Sequence, residues 1–198
     1  MNQPYATPPA ATMRLLGLAA VGVLVLAIGG ILLMSAGIFD PIPATLPTAP
    51  LPLSPMTLTT TEPRLVWLAE ADPSAPLDAR LTVAGNAGSP DVAYALLLGN
   101  PVTFLAVILS PAGYTSISLH EKGRQIDILP AQTWPHIHPG SELNEIQLTR
   151  QDQTITVRLN RETLWSGRVP LTETCLGISG QTFAPPTTID FISLQFAP

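Results

Sequence analysis

The hydropathy pattern begins with a long apolar run. Residues 15–39 contain no charged side chain and are bounded by Arg14 and Asp40. A helix needs about 20 apolar residues to cross the hydrocarbon core of a bilayer. The pattern therefore predicts a transmembrane helix over residues 14–39, preceded by a short cytoplasmic tail over 1–13.

A cleaved signal peptide is the alternative interpretation of this run. Signal peptides have an apolar core of about 7 to 15 residues that ends at a small-residue cleavage site. The run here is longer, which favours a retained anchor. Arg14 is the basic residue beside it, and basic residues favour the cytoplasmic side. We therefore expect a single-pass protein of the cell membrane, with its N-terminus inside and its C-terminal domain extracytoplasmic.

A proline-rich segment follows the apolar run over residues 40–56. It contains six prolines between Pro41 and Pro55. Proline fixes φ and has no amide hydrogen to donate, so such a segment favours an extended, semi-rigid spacer. The composition predicts a linker that holds a domain formed by residues 57–198 away from the membrane.

The region 57–198 has the two-residue period of β-strands. In the stretch 154–159, Ile155, Val157 and Leu159 alternate with polar residues, which is typical of a half-buried strand. Nine such strands are predicted, over 79–84, 92–98, 103–109, 114–120, 124–129, 144–149, 154–159, 175–179 and 188–196. Two of them, 92–98 and 103–109, are apolar on both faces and should be central strands covered on both sides. Many short strands indicate a sandwich or a barrel.

The charge of the domain limits which partners it can bind, and the cysteine content limits its disulfides. One basic and one acidic residue precede the domain, so residues 57–198 carry the net charge of −5 of the whole chain. An acidic surface whose single lysine is Lys122 repels phosphate backbones, so nucleic acid is not expected as a partner. Cys175 is the only cysteine. It excludes an internal disulfide and is expected to be a buried structural thiol.

Several motifs resemble those of a known fold family. In chain order they are Tyr94-Ala95-Leu96-Leu97, Ser110-Pro111-Ala112-Gly113-Tyr114, Pro139-Gly140 followed by Asn144, Leu159-Asn160, and Ile189-Asp190-Phe191. This order resembles the concanavalin A-like lectin/glucanase jelly roll, in its laminin-G-like branch, over residues 79–196. The resemblance implies an all-β fold, a two-sheet antiparallel jelly-roll sandwich. Arg161 departs from the family pattern, which has glycine in the turn after the asparagine.

The resemblance also locates where catalysis would lie. Retaining glucanases of this fold carry a Glu-x-Asp-x-x-Glu strand, because hydrolysis needs a nucleophile and an acid about 5 Å apart. At these positions the chain has Gln125, Asp127 and Pro130. Only the middle acid is kept, so we expect no enzymatic activity, and a glycoside hydrolase is the less favoured alternative.

The histidines raise the question of a metal site. His136 and His138 lie two residues apart and can project from one side of an extended segment. Zinc normally takes three or four protein ligands, and no spacing connects His120 to this pair. The prolines that flank the pair favour a structural loop over a metal site.

Calcium is a further alternative, because some domains of the resembling family bind it. Calcium takes several oxygen ligands at once. The available side chains are scattered along the sequence: Asp72, Asn86, Asp91 and Asn100. We expect no cofactor, with calcium as the alternative.

Aromatic residues are the remaining candidates for a ligand site. Trp67, Trp134 and Trp165, with Tyr94 and Tyr114, could stack on sugar rings if exposed. Trp134, Trp165 and Tyr114 are the predicted ligand-binding residues, and membership of the core is the alternative for each.

These features together predict a membrane-anchored extracytoplasmic module that recognises a carbohydrate or another cell-envelope ligand without catalysis. The alternative is a structural or adhesion protein that engages a protein partner.

Overall fold

The chain divides into two units, Met1–Pro41 and Ile42–Pro198. The structure is a computed structural model that describes residues 10–35, 49–84 and 91–197. In the first unit, helix α1 covers Ala10–Ser35. No helix within the described ranges is long and apolar enough to cross a membrane. The predicted transmembrane helix over 14–39 is therefore not confirmed, and its last residues, like most of the tail over 1–13, lie outside the described part of the chain.

The second unit is built of β-strands. Its described residues form β1 (Leu51–Pro52), β2 (Met56–Leu58), β3 (Arg64–Ala71), β4 (Leu77–Ala84), β5 (Val92–Gly99), β6 (Thr103–Ser110), β7 (Tyr114–Glu121), β8 (Arg124–Thr133), β9 (Leu143–Gln151), β10 (Thr154–Leu159), β11 (Glu162–Arg168), β12 (Thr174–Thr182) and β13 (Thr187–Ala197). All nine predicted strands are present, which confirms the all-β prediction. Strands β1, β2, β3 and β11 were not among them.

The strands form two antiparallel sheets that pack as a jelly-roll sandwich. One sheet has the order β1-β13-β4-β9-β10-β11, with β2 also paired to β13, and we call it the seven-stranded sheet. The six-stranded sheet has the order β3-β12-β5-β6-β7-β8. Some neighbouring strands are distant in sequence: β4 pairs with both β9 and β13. The predicted two-sheet architecture is confirmed.

Alternating side chains of both sheets fill the space between them. In β10, Ile155, Val157 and Leu159 are buried while the residues between them are not. The prediction that the strands apolar on both faces are central is confirmed, because β5 and β6 lie in the middle of the six-stranded sheet. Their inner residues join the main core, and their outer residues form a second apolar cluster on the opposite face.

The end of the proline-rich segment belongs to the sandwich. β1 pairs with β13 through Leu51 and Pro52, and β2 pairs with β13 from Met56 onwards. Met56 is buried in the core. The predicted linker over 40–56 is therefore extended in its last residues, as expected, but these residues are bound to the sheet, because β13 offers them an open edge. Residues 36–48 lie outside the described part of the chain.

The turn between β10 and β11 uses two residues with positive φ. Asn160 has φ of 50° and Arg161 has φ of 77°. Such two-residue turns need left-handed backbone at both positions, which is why glycine usually takes one of them. Arg161, the departure from the family pattern, adopts the left-handed conformation at a cost in strain.

Candidate functional site

A shallow groove lies on the outer face of the six-stranded sheet, away from the core. It has a volume of about 150 Å³. Its lining comes from β3, β12, β5, β6, β7 and β8 and from the residue before β3: Pro63, Leu65, Ala93, Tyr94, Ala95, Leu97, Phe104, Ala106, Ile108, His120, Gln125, Ser179 and Gln181. We call this site the outer groove.

The floor of the outer groove is apolar and tightly packed. Ala95, Leu97 and Ala106 are buried there, although they point away from the core between the sheets. Alanine side chains on β5 and β6 are short, so the larger side chains around them, including Phe104 and Ile108 of β6, extend farther from the sheet. The sequence therefore builds a depression at the centre of the sheet.

Aromatic rings stand at one side of the groove: Phe104 and His120 line it, and Trp67 packs against Phe104 outside the lining. The rings of Trp67 and Phe104 are 5.8 Å apart at 76°, an edge-to-face pair. Phe104 and His120 lie opposite each other on β6 and β7 and stack at 4.5 Å with 6° between their planes. Such pairs contribute about 0.5–1.5 kcal/mol beyond area burial, so the rings are held in place by their mutual contacts.

A glycine allows Trp67 to lie close against the sheet. Gly177 on β12 pairs with Trp67 on β3. A Cβ atom at Gly177 would lie 2.9 Å from Cε3 of the Trp67 indole, and 2.9 Å from the carbonyl oxygen of Val66. Only glycine leaves room for this approach, so Gly177 helps to set the position of Trp67 and, through it, of Phe104.

Polar side chains follow β7 and β8 beside the aromatic rings. Ser118 Oγ lies 3.1 Å from His120 Nε2. Gln125 donates from Nε2 to Asp127 Oδ1 at 2.8 Å. Burial lowers the pKa of His120, and the charge of Asp127 opposes this in part. The ring is therefore held towards its neutral form, with hydrogen-bonding groups on both sides.

This arrangement offers binding groups more readily than reacting groups. Ser118, His120 and Asp127 have the residue types of a nucleophilic triad, but Ser118 is only 1% exposed. Its hydroxyl lies below the groove surface, and a nucleophile must reach the reacting carbon at about 3–3.5 Å. Apolar rings with adjacent amide and carboxylate groups suit a ligand that has one apolar face and a polar edge.

The structure places the predicted ligand-binding residues elsewhere. Trp134 and Trp165 are half-buried and pack against the main core, and neither lines the outer groove. The Trp165 ring covers Gly167, where an added Cβ would lie 2.3 Å from Cζ2. Tyr114 is 52% exposed. It lies on β7 at the opposite end from His120, about 20 Å away along the strand.

Sequence reasoning missed Trp67, Phe104 and His120 as a group. The alternation of β6 and β7 places Phe104, Ala106 and Ile108 on the same face of the sheet as Ser118 and His120, which pair with Ala106 and Phe104. This signal was present in the strands that were predicted. Trp67 lies on β3, which was not predicted, so its position beside Phe104 had no sequence signal.

The loop with two histidines is held by Asn144, which is buried, and by Asn160, which is half-buried. His138 donates its backbone N–H to Asn144 Oδ1, and its Nδ1 lies 2.7 Å from the Leu143 carbonyl oxygen. Asn160 donates from Nδ2 to the carbonyl oxygen of His136 and to Asn144 Oδ1. These hydrogen bonds agree with the interpretation of residues 136–138 as part of a structural loop.

Within the described ranges, no group of three or more His, Cys, Asp or Glu residues could hold a metal ion. Asp72 Oδ1 accepts from the backbone N–H and hydroxyl of Ser74, and Asn100 Oδ1 accepts from two N–H groups of the turn after it. Asn86 lies outside the described residues. The side chains named for calcium are thus not brought together at one place where they are described.

Cys175 is half-buried on β12. Burial, with the negative charges of Glu70 and Glu173, raises the pKa of its thiol. Since the thiolate is the reactive form, this environment makes a poor nucleophile. The expectation of a structural thiol agrees with these surroundings, although the side chain is less buried than expected.

The fold is that of the lectin-like two-sheet sandwiches, as comparison with solved structures shows. The carbohydrate-binding module CBM66 from Bacillus subtilis superposes with a TM-score of 0.56 at 10% identity, over 80% of this chain and 100% of that one. The Emp47p carbohydrate recognition domain gives 0.53 at 14% identity, over 78% and 93%. The Caenorhabditis elegans galectin LEC-6 gives 0.50 at 12% identity, over 73% and 96%. At these identities the likeness shows the fold.

No protein-family model matches the chain, and no curated protein matches its sequence. The predicted jelly-roll sandwich is confirmed at the level of fold.

Proposed function

We propose that the domain is a non-catalytic carbohydrate-binding module whose ligand lies in the outer groove. The observation that carries this proposal is the combination of the Phe104 and His120 rings that line the groove with the Gln125–Asp127 pair beside them, while Trp67 packs against Phe104 and supports it. The likeness to CBM66 and to the Emp47p carbohydrate recognition domain supports it, because their names describe carbohydrate binding.

The chemistry of the groove suits a sugar ring. A pyranose presents C–H groups on one face, and these pack on aromatic rings, while its hydroxyls need polar partners around the edge. The volume of about 150 Å³ is below the roughly 300–1,000 Å³ of drug-sized sites. The groove therefore takes one ring or the end of a chain, and the remainder of a longer glycan extends over the sheet.

Charge favours a neutral sugar. The lining contains no lysine or arginine, and Asp127 lies next to it on β8. A carboxylate or sulfate on the ligand would meet this negative charge without a cation to compensate for it. The ligand class is therefore a neutral glycan, and uronic acids and sulfated sugars bind more weakly.

Binding of neutral and acidic polysaccharides to the full chain tests this proposal. Phe104→Ala removes the ring that joins the two aromatic pairs and should weaken binding by about tenfold, equivalent to about 1.4 kcal/mol. Tyr114→Ala is the matched control, since it removes an exposed aromatic from the same sheet outside the groove and should change the affinity little. No binding to any glycan by the folded protein would contradict the proposal and favour a protein partner.

The absence of catalysis is part of the same proposal. The buried position of Ser118 and the single carboxylate of the Gln125–Asp127 pair support it. Incubation of the bound glycan with the protein should release no new reducing ends. Release that disappears in Asp127→Asn would instead assign hydrolysis to this site.

Attachment to a membrane is a separate part of the proposal, supported by the uncharged sequence over 15–39. We propose that this segment tethers the domain on the extracytoplasmic side. We expect the protein to stay in the membrane fraction after a carbonate wash. We also expect protease added outside intact cells to digest the domain. Release by the wash would contradict the tether and would leave the groove proposal unaffected.

A further inference from the structure

A second cavity opens between the two sheets, at the side where β3 faces the chain segment 51–56. Its volume is about 360 Å³. Arg64, Val66 and Leu68 of β3 line one wall, and segment 51–56 lines the other. Residues of a strand point alternately to opposite faces, so these three residues face inward, whereas Leu65 and Trp67 face the outer groove. We call this cavity the inner cleft.

The inner cleft is an opening into the hydrophobic core. Ile178 of β12 and Met56 of β2 are buried core residues, and both contribute to its lining. Val66 and Leu68 pack against the same core but remain half-buried. An apolar molecule in the cleft would cover them and extend the core, with about 25 cal/mol gained for each Å² removed from water.

Segment 51–56 covers the cleft with few hydrogen bonds. Leu51 and Pro52 pair with β13, and Leu53 donates its N–H to the carbonyl oxygen of Ile192. Pro52 and Pro55 have no amide hydrogen to add to the sheet. Segment 51–56 is thus held by its pairing with β13 and leaves a narrow slot between itself and β3 that can admit a long, narrow ligand.

The mouth of the cleft carries a positive charge. Arg64 begins β3, is exposed, and makes a 3.4 Å contact from Nη1 to the Thr57 carbonyl oxygen. From Arg64 to Leu68 the wall runs for about 13 Å, at about 3.3 Å per residue. The cleft thus combines an apolar slot with a cation at one end, within a domain that is acidic overall.

From this geometry we propose that the inner cleft binds a fatty acid, with its carboxylate at Arg64, the nearer part of its acyl chain along Val66 and Leu68, and the remainder of a long chain extending beyond the cleft. The volume falls within the range of about 300–1,000 Å³ that small-molecule sites occupy. This site is independent of the outer groove, because the two are formed by opposite faces of β3.

Displacement of cis-parinaric acid from the full chain by palmitate tests the proposal. The fluorescence of this probe rises in an apolar site. Val66→Trp fills the slot and should weaken binding by at least about tenfold. Leu65→Trp is the matched control, because it places the same indole on the other face of β3. It should leave fatty-acid binding unchanged and disturb only the outer groove. If Val66→Trp fails to fold, Leu53→Trp fills the slot from the opposite wall.

The charged end is tested with palmitate and 1-hexadecanol as competitors. Arg64→Gln should weaken palmitate about two- to fivefold, as expected for an exposed ion pair, and leave the alcohol unchanged. Arg168→Gln, an exposed arginine on β11, is the control. Equal probe binding by the wild type, Val66→Trp and Leu53→Trp would overturn the cleft assignment. The other contrary outcome is that the wild type binds no probe while Val66→Trp has a raised melting temperature. That pair of results would show that the cleft is a packing defect of the core and not a binding site.

Discussion

The steric contact between Gly177 and Trp67 gives a quantitative test of how the outer groove is built. Gly177 does not have the positive φ that excludes other residues, so alanine fits the backbone. The added Cβ, however, would lie 2.9 Å from the Trp67 indole and 2.9 Å from the Val66 carbonyl oxygen. Relief of such overpacking costs about 1–3 kcal/mol, and the reduced entropy of the unfolded chain returns about 0.4–1 kcal/mol. Gly177→Ala should therefore destabilise the domain by about 1–2 kcal/mol.

A double-mutant cycle separates the two contacts of the new methyl group. In a Trp67→Ala background the indole is absent, so Gly177→Ala should cost about 1 kcal/mol less than in the wild type, within the range of measured coupling energies. Urea unfolding of the full chain, followed by circular dichroism, provides the four free energies. Gly177→Ala should also reduce glycan affinity, because a shift of Trp67 displaces Phe104, which lines the groove. If Gly177→Ala lowers the free energy of unfolding equally in both backgrounds, Trp67 does not lie against Gly177. The packing described for Trp67 would then be wrong.

Four other changes have expected outcomes. Arg161→Gly should raise the free energy of unfolding by about 1 kcal/mol in urea, because glycine adopts the left-handed backbone without strain; a loss of stability would contradict this. Asn144→Ala should cost about 1–3 kcal/mol by the same assay, since it leaves buried groups without partners, whereas Gln151→Ala at the exposed end of β9 should change stability by under about 0.5 kcal/mol. As the pH falls below about 6.5, the wild type should lose stability relative to His120→Asn, because the folded state resists the proton that the unfolded imidazole takes up; a pH-independent difference would contradict the burial of this ring. Trp165→Ala should lower the melting temperature and leave glycan affinity unchanged, and a loss of affinity in the folded variant would return Trp165 to the binding site.

The sequence predicted the fold well because period-two patterns report burial directly. β10 was predicted with its bounds, since Ile155, Val157 and Leu159 alternate regularly. β3 was missed because Trp67 and Leu68 interrupt its alternation and the strand contains a pairing irregularity opposite Gly177. β1 and β2 are only two and three residues long, and their strand conformation depends on pairing with β13, which no local pattern records.

The candidate site was less accessible from sequence for a related reason. Trp134 and Trp165 were proposed for their residue type, but a tryptophan is as useful to the core as to a ligand. What distinguishes Trp67 is its position beside Phe104, which depends on the order of strands in the sheet. Strand order between residues distant in sequence is a property of the fold, and a single sequence with local patterns does not specify it.

The pairing of β1 and β2 with β13 has a consequence for how the chain is made. Leu51 pairs with Leu194, and β4 finds its two neighbours only in β9 and β13. The seven-stranded sheet therefore has no complete local nucleus, and the domain folds slowly, as folds dominated by distant contacts do. During synthesis the N-terminal strands must wait, with exposed edges, until β13 has left the ribosome. A chain that stops before Thr187 would leave β4 with an open edge and the segment 51–56 without a partner, so prematurely terminated products should aggregate or be degraded.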